Sequence, residues 1–166
     1  MSWDSYFMSI AVLSSFRSKD SKTNNGAVIV DSDKKVIGVG YNGLPKGFDD
    51  NKKHFWSDDD SSAKNSKHSY VVHAEANAIY NRNTSRVSGQ VMYCTLFPCR
   101  ECAKAIIQNN IVEVVYLNHK PHHKEINDVV KLMFKEAGVK LRDFGKLKIK
   151  DKEFIDNLVK LGESKY

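Results

Sequence analysis

Three consecutive stretches, His73-Ala-Glu-Ala-Asn-Ala-Ile-Tyr80, Val91-Met-Tyr-Cys-Thr-Leu-Phe-Pro-Cys-Arg-Glu-Cys-Ala-Lys-Ala-Ile-Ile107 and Val112-Glu-Val-Val-Tyr-Leu117, decide the fold. They read as a helix from His73 to about Arg82, a strand Val91–Cys94, a helix Cys99–Asn109 and a strand Val112–Leu117. Downstream, Ile126, Val129, Val130, Met133, Phe134 and Ala137 recur at helical spacing. They predict a helix Glu125–Ala137, stopped by Gly138 and followed by a strand Val139–Arg142. Upstream, Ala27–Val30 and Val36–Tyr41 flank the polar turn Asp31-Ser-Asp-Lys-Lys35 and predict a hairpin. An opening helix over residues 3–16 places Trp3, Phe7, Ile10, Ala11 and Ser14 on one stripe, with Ser2 as N-cap and Asp4 in its positive first turn. Strands alternating with helices imply a layered α/β sheet. A last helix, about Lys152 to Leu161, presents Phe154, Ile155, Leu158 and Leu161 on one face, to dock on the body or on a neighbouring subunit. The polar stretch from Gly43 to about Ser69 is long for a connection inside one domain, and we read it as a lid or regulatory loop.

With 166 residues the chain is the size of one domain, 1–166. Its formal charge of +6 favours anionic partners without choosing among them. Residues 1–118 carry 14 basic and 12 acidic groups, and the last 48 carry 12 and 8, so the excess sits partly in the tail. There is no Lys/Arg block with interleaved aromatics, which argues against nucleic acid as the partner. Three cysteines do not make a disulfide framework. Neither a leader pattern nor an apolar run approaching ~18 residues is present, so a soluble cytoplasmic protein without membrane contact is expected.

The chemistry lies in His73-Ala-Glu75 and Pro98-Cys99-Arg-Glu-Cys102. Cys99 and Cys102, three apart, share one helix face at its positive end, which favours thiolates. Pro98 fits the first helical position. His73 can supply a third metal ligand, leaving a fourth position for water, as a catalytic zinc requires. Glu75 is two residues from His73, and residues so spaced do not face one ion together; a carboxylate there suits proton transfer. A closed structural zinc site and a redox Cys-x-x-Cys are the other readings. The redox reading leaves His73 and Glu75 unexplained, and a structural site has no use for Glu75. Cys94 reads as a small buried hydrophobe.

His-x-Glu followed by Pro-Cys-x-x-Cys is the signature of zinc-dependent nucleobase deaminases. Over roughly residues 3–144 the chain resembles the deoxycytidylate (dCMP) deaminase family. The matching segments include Arg17-Ser-Lys-Asp20, Gly26-Ala-Val-Ile-Val, Gly38-Val-Gly-Tyr-Asn-Gly-Leu-Pro-Lys-Gly47, Tyr70-Val-Val-His-Ala-Glu-Ala-Asn-Ala-Ile79 and Thr95-Leu-Phe-Pro-Cys-Arg-Glu-Cys-Ala-Lys-Ala-Ile-Ile107. Arg17–Asp20 and Gly40–Gly43 discriminate this family from deaminases of transfer RNA, cytosine or guanine. The resemblance implies a cytidine deaminase-like three-layer α/β/α sandwich around a mixed five-strand sheet. It also implies hydrolysis of dCMP to dUMP and ammonia for thymidylate synthesis, activation by dCTP (with Mg2+ as companion ion), inhibition by dTTP and a hexamer. Deamination of another cytosine nucleotide, a nucleoside or a polynucleotide base is the alternative.

Carried onto this chain, the resemblance gives Glu75 as the catalytic proton carrier and His73, Cys99 and Cys102 as ligands of one zinc per chain. It gives Asn42, with Tyr41, Gly40 and Gly43 beside it, as substrate or effector contacts. Asn42-Gly43 is also an ordinary turn signal. Arg17, Ser18 and Lys19 are candidate phosphate partners, with favourable charge at a helix end as the other reading of the two cations. Many members have a nucleotide-binding tyrosine where this chain has Pro121, leaving His122 or Lys120 to substitute. His54 and His68 lie in the long loop, which has no cysteine to complete a second zinc site.

Overall fold

In the computed structural model, which describes residues 1–84, 89–120, 123–146 and 149–163, two runs rich in β-branched residues, Gly26–Val30 (β1) and Val36–Tyr41 (β2), pair antiparallel. Their turn is built by Asp31, whose Oδ1 accepts from the amides of Asp33 and Lys35, with Lys34 left-handed at φ 64°. β1 also pairs antiparallel with Gln90–Leu96 (β3). Beyond it, Ile111–Asn118 (β4) and Lys140–Asp143 (β5) add in parallel, giving the order β2-β1-β3-β4-β5. The mixed five-strand sheet is the expected one.

Each face is covered. Helix α1 (Trp3–Ser15) and helix α5 (Ile149–Glu163) lie on one face, where Phe7, Met8, Ala11 and Val12 meet Val28, Val30, Tyr93, Val115, Phe144 and Ile155. Helices α2 (Ala74–Tyr80), α3 (Arg100–Gln108) and α4 (Lys124–Glu136) lie on the other, where Ala78, Ile106, Val130 and Phe134 bury against Ala27, Ile29, Met92 and Val114. Fully burying a side chain such as Phe134 contributes about 2–3 kcal/mol.

Several boundaries move. Ser2 caps α1 as expected, its Oγ accepting from the Ser5 amide at 3.1 Å. The buried stripe, however, runs through Phe7, Met8, Ala11 and Val12, and Trp3 is 57% exposed. The indole instead stacks on the Phe7 ring at 5.4 Å, so its place on the stripe reflects aromatic contact at the surface. Gly138 stops α4 at φ 71°. Helix α5 extends beyond 152–161 at both ends and packs on α1, where Gly162 abuts the Phe16 ring. The stretch 43–69 is more ordered than a plain loop. It holds 3-10 turns at Lys53–Trp56 and Lys67–Ser69 and a bridge between Asp58 and Ser66, and its Phe48 and Phe55 rings pack with each other and with Tyr70 just beyond it.

Candidate active site

Parallel strands β3 and β4 end together, and the chain leaving each turns into the next helix. The Phe97 amide donates to the Asn118 carbonyl at 2.7 Å, holding the two exits side by side. Ligand sites of α/β sheets form where strand carboxyl ends meet helix amino ends. Here a cleft of about 560 Å³ opens at that edge. Its wall takes residues from the starts of α2, α3 and α4, from the segment before β1 and from the 43–69 flap.

His73 is the N-cap of α2. Gly43 carries it to the cleft by exchanging both backbone hydrogen bonds with Val72, at 3.1 and 2.8 Å. The connection after Asn42 is therefore a bridge that delivers His73, and no turn forms there. Cys99 is the N-cap of α3 and its sulfur accepts from the Cys102 amide at 3.5 Å. The capping role of the sulfur moves the helix start, so Pro98 stands before the cap and not at the first helical position. The Sγ atoms of Cys99 and Cys102 each lie 3.4 Å from His73 Nδ1, and the ligand atoms of the three all fall within 4.8 Å of one another. A tetrahedral zinc, with sulfur at ~2.3 Å and nitrogen at ~2.0 Å, separates sulfur from nitrogen by about 3.5 Å. The cluster fits zinc. The hydrogen bond from the Cys102 thiol, with a further contribution from His73, holds the Cys99 thiol well below its ordinary range, while the same bond and burial push Cys102 up, so the pair offers one thiolate and one thiol whose proton a metal must displace.

Glu75, in the first turn of α2, is 6% exposed and lines the cleft with His73 and Cys99. Burial pushes its carboxyl pKa up. A carboxyl so placed can take and return a proton beside the metal ligands. Cys94 is fully buried, its thiol facing the Val115 carbonyl at 3.8 Å.

The chain matches, over residues 1–118, the sequence model of the family described as cytidine and deoxycytidylate deaminase zinc-binding region. It belongs to that family. Among relatives of this deaminase, deoxycytidylate deaminase of Mus musculus is 45% identical over 144 residues, 87% of this chain and 80% of that one. The Homo sapiens enzyme of the same name is 44% identical over the same shares. Among solved structures, dCMP deaminase of cyanophage S-TIM5 in complex with dCMP and dUMP superposes with a TM-score of 0.65 at 26% identity, covering 84% of this chain and 94% of that one.

The other site residues anticipated for a deaminase of this family separate into two groups. Asn42 lines the cleft and is 4% exposed; its Oδ1 accepts from the Asn25 amide at 2.7 Å and its Nδ2 donates to the Thr23 carbonyl at 2.9 Å. Tyr41, Gly40, Gly43, Arg17, Ser18 and Lys19 do not line it. Gly40 lets α2 approach, since a Cβ there would stand 2.3 Å from the Ala74 carbonyl oxygen. The Tyr41 carbonyl accepts from Asn77 of α2. Lys19 pairs with Asp50 on the surface at 3.6 Å, and the buried Ser18 hydroxyl accepts from the Asp20 amide at 3.3 Å. His122 and Pro121 lie outside the described residues.

Sequence reading missed a charged group in the cleft wall. Lys67, whose side chain is 6% exposed, donates to Asp20 Oδ1 at 2.9 Å and Asp58 Oδ1 at 2.8 Å, and Asp58 Oδ2 pairs with Lys22 at 2.6 Å. Burial works to lower the Lys67 pKa, but the bonds to Asp58 and Asp20 outweigh it and hold the ammonium form. Asp20 was visible as the last residue of the Arg17–Asp20 match. Lys67 carries no signal that separates it from the surface lysines of a polar stretch.

Proposed function

We propose that this protein hydrolyses dCMP to dUMP and ammonia, supplying dUMP for thymidylate synthesis. The observation that carries the reading is the fit of His73, Cys99 and Cys102 to a zinc ion beside a buried Glu75, in a chain 45% identical to a deoxycytidylate deaminase. Zinc held by these three residues supplies Lewis acidity that brings the pKa of a water to near 7.

The rest is done by the chain. Glu75 takes a proton from the attacking water, hands it to a ring nitrogen, and passes a further proton to the departing amino group, so that water and dCMP balance against dUMP and ammonia. Burial of Glu75 keeps bulk water from competing for that proton. Arg100 and Lys120 line the cleft and suit an anionic nucleotide, whereas Lys22 and Lys67 there are paired with Asp20 and Asp58. Asn42 holds the Thr23 to Asn25 segment, which forms the wall beside the metal ligands, and through it shapes the space left for sugar. Activation by dCTP with Mg2+, inhibition by dTTP and assembly as a hexamer belong to the same proposal and rest on the family resemblance. In such an assembly the exposed Tyr41, next to the Gly43 bridge, would link an effector to His73. No helix among the described residues is long and apolar enough to cross a membrane; a cytoplasmic location completes the reading.

The test is to incubate zinc-loaded protein with dCMP, deoxycytidine, cytosine and single-stranded DNA and follow the loss of cytosine absorbance, with and without dCTP and magnesium. Turnover of dCMP alone is expected, faster with dCTP. Turnover of deoxycytidine without dCMP would overturn the nucleotide reading.

A further inference from the structure

One wall of the cleft is residues 20–25, which has no regular secondary structure of its own. Two buried side chains hold it. At one end Asn42 bonds the Thr23 carbonyl and the Asn25 amide. At the other, Asp20 Oδ1 accepts from the amides of Lys22 at 2.9 Å and Thr23 at 3.2 Å, and from Lys67 Nζ at 2.9 Å. Asp20 is 4% exposed, and a carboxylate so buried needs a cation. Lys67 is that cation, and it also reaches Asp58. Asp58 returns to the wall through Lys22. The circuit of two acids and two lysines is closed and neutral, and it joins the wall to the flap, because Lys67 and Asp58 both belong to 43–69.

We infer that Lys67 is a positioning residue for the deamination reaction: its buried pairing with Asp20 and Asp58 fixes the 20–25 wall and the 43–69 flap in the arrangement that receives the nucleotide. The inference rests on the dCMP reading above. Lys67 is not placed to exchange protons with the reacting ring, since both its acidic partners occupy it and Glu75 holds that role. Its effect is on how well the cleft is preformed. Loss of such preorganisation shows in KM more than in kcat, because the metal ligands and Glu75 are on other elements. A buried ion pair does little for net stability but is costly to break on one side, so Lys67→Met strands the Asp20 charge and the wall gives way.

The experiment compares zinc-loaded wild type, Lys67→Met and the double variant Lys67→Met/Asp20→Asn. In the double variant no charge is stranded, and the asparagine oxygen can still accept from the Lys22 and Thr23 amides. Steady-state kinetics on dCMP are combined with amide hydrogen exchange at Lys22, Thr23 and, as reference, Ile106 of α3. In Lys67→Met we expect exchange at Lys22 and Thr23 to speed up about tenfold or more, KM for dCMP to rise about tenfold, and kcat to stay within about threefold. In the double variant exchange returns toward wild type while KM stays raised, because the buried Lys67 tie is gone and wall and flap are joined only by the more exposed Lys22–Asp58 pair. Unchanged exchange at Lys22 and Thr23, or a fall in melting temperature with KM and kcat both unchanged, would make Lys67 a purely structural residue and overturn the inference. A double variant with wild-type KM would do the same, and it decides the matter if Lys67→Met alone does not fold. Absence of dCMP turnover in wild type would instead overturn the proposed activity, with the exchange data still judging the clasp.

Discussion

At the scale of single residues, Glu75 shows what burial does to chemistry. It lines the cleft beside His73 and Cys99, and with so little water around it the carboxyl suits the proton carrier proposed above. Glu75→Gln keeps the shape and removes the exchangeable proton. Turnover of dCMP should fall by about 10²–10⁴-fold, with zinc content and melting temperature unchanged; loss of zinc in the variant would mean that Glu75 helps to hold the metal. Cys99→Ser tests the other half of the site: the hydroxyl can still cap α3, but zinc content and activity should both be lost while the helix persists. The cluster of His73, Cys99 and Cys102 with Glu75 near it was legible because spacing puts Cys99 and Cys102 together and separates His73 from Glu75. Lys67 and Asp20 were not legible as a pair: 47 positions separate them, and only folding shows that a lysine of a polar stretch is buried. Arg17 and Lys19 stand outside the lining of this cleft, because α1 ends at Ser15 and the chain turns so that Asp20 faces it.

At the scale of elements, helix α2 is held close to the sheet by missing side chains. A Cβ on Gly38 would stand 2.4 Å from the Ala78 carbonyl oxygen, and one on Gly40 2.3 Å from both the Ala74 oxygen and the Ala78 nitrogen. Asn77 and Asn81 complete the attachment by donating to the Tyr41 and Val39 carbonyls of the edge strand β2, which also blunts that edge. Gly40→Ala must push α2 outward, and overpacking of this kind costs about 1–3 kcal/mol. Thermal unfolding should register a drop of several degrees, with a larger proportional loss of activity because α2 carries Glu75 and begins at His73. Gly43→Ala is the control: its Cβ would meet only the Tyr41 ring at 3.7 Å, and a stability close to wild type is expected. The elements were readable where one period dominates. Helix α4 appears one residue from its expected ends, since Val130 and Phe134 need burial and Gly138 stops the chain. Helix α5 was harder. Among its described side chains Ile155 is the fully buried one, and Phe154 and Leu161 are exposed, so its apolar pattern does not mark where it begins or stops.

At the scale of the whole molecule, one polar cluster ties layers together far from the cleft. Arg142 of β5 donates to both oxygens of Asp4 in α1, at 2.7 and 2.9 Å, and to Glu113 of β4, while the Tyr93 hydroxyl of β3 donates to Asp4 at 2.7 Å. The bond from Arg142 holds the Asp4 carboxyl below its ordinary 3.8, with burial opposing and Tyr93 assisting. Because the folded pKa is depressed, the ionised carboxylate favours the folded state above pH ~4, and this contribution is lost as the pH falls below that, where the unfolded chain takes up the proton first. Asp4→Asn should therefore lower the unfolding free energy from urea titration at pH 7 by about 1 kcal/mol for a partly exposed pair, and the gap to wild type should close toward pH 3. A gap independent of pH would exclude the charge as its source.

The cleft draws its wall from short pieces between residues 20 and 127, gathered at one end of the sheet, while His73, Cys99 and Cys102 stand at the starts of two helices. Reaction and admission are thereby written in different parts of the gene. Random changes confined to 44–57 and 59–65 alter neither the His73, Cys99 and Cys102 cluster nor Glu75 and leave Asp58 of the clasp in place, so a library there should yield proteins that keep their metal and differ in which cytosine compound they accept. For a protein engineer, and for natural selection alike, the flap is the part of this deaminase that can be redrafted first.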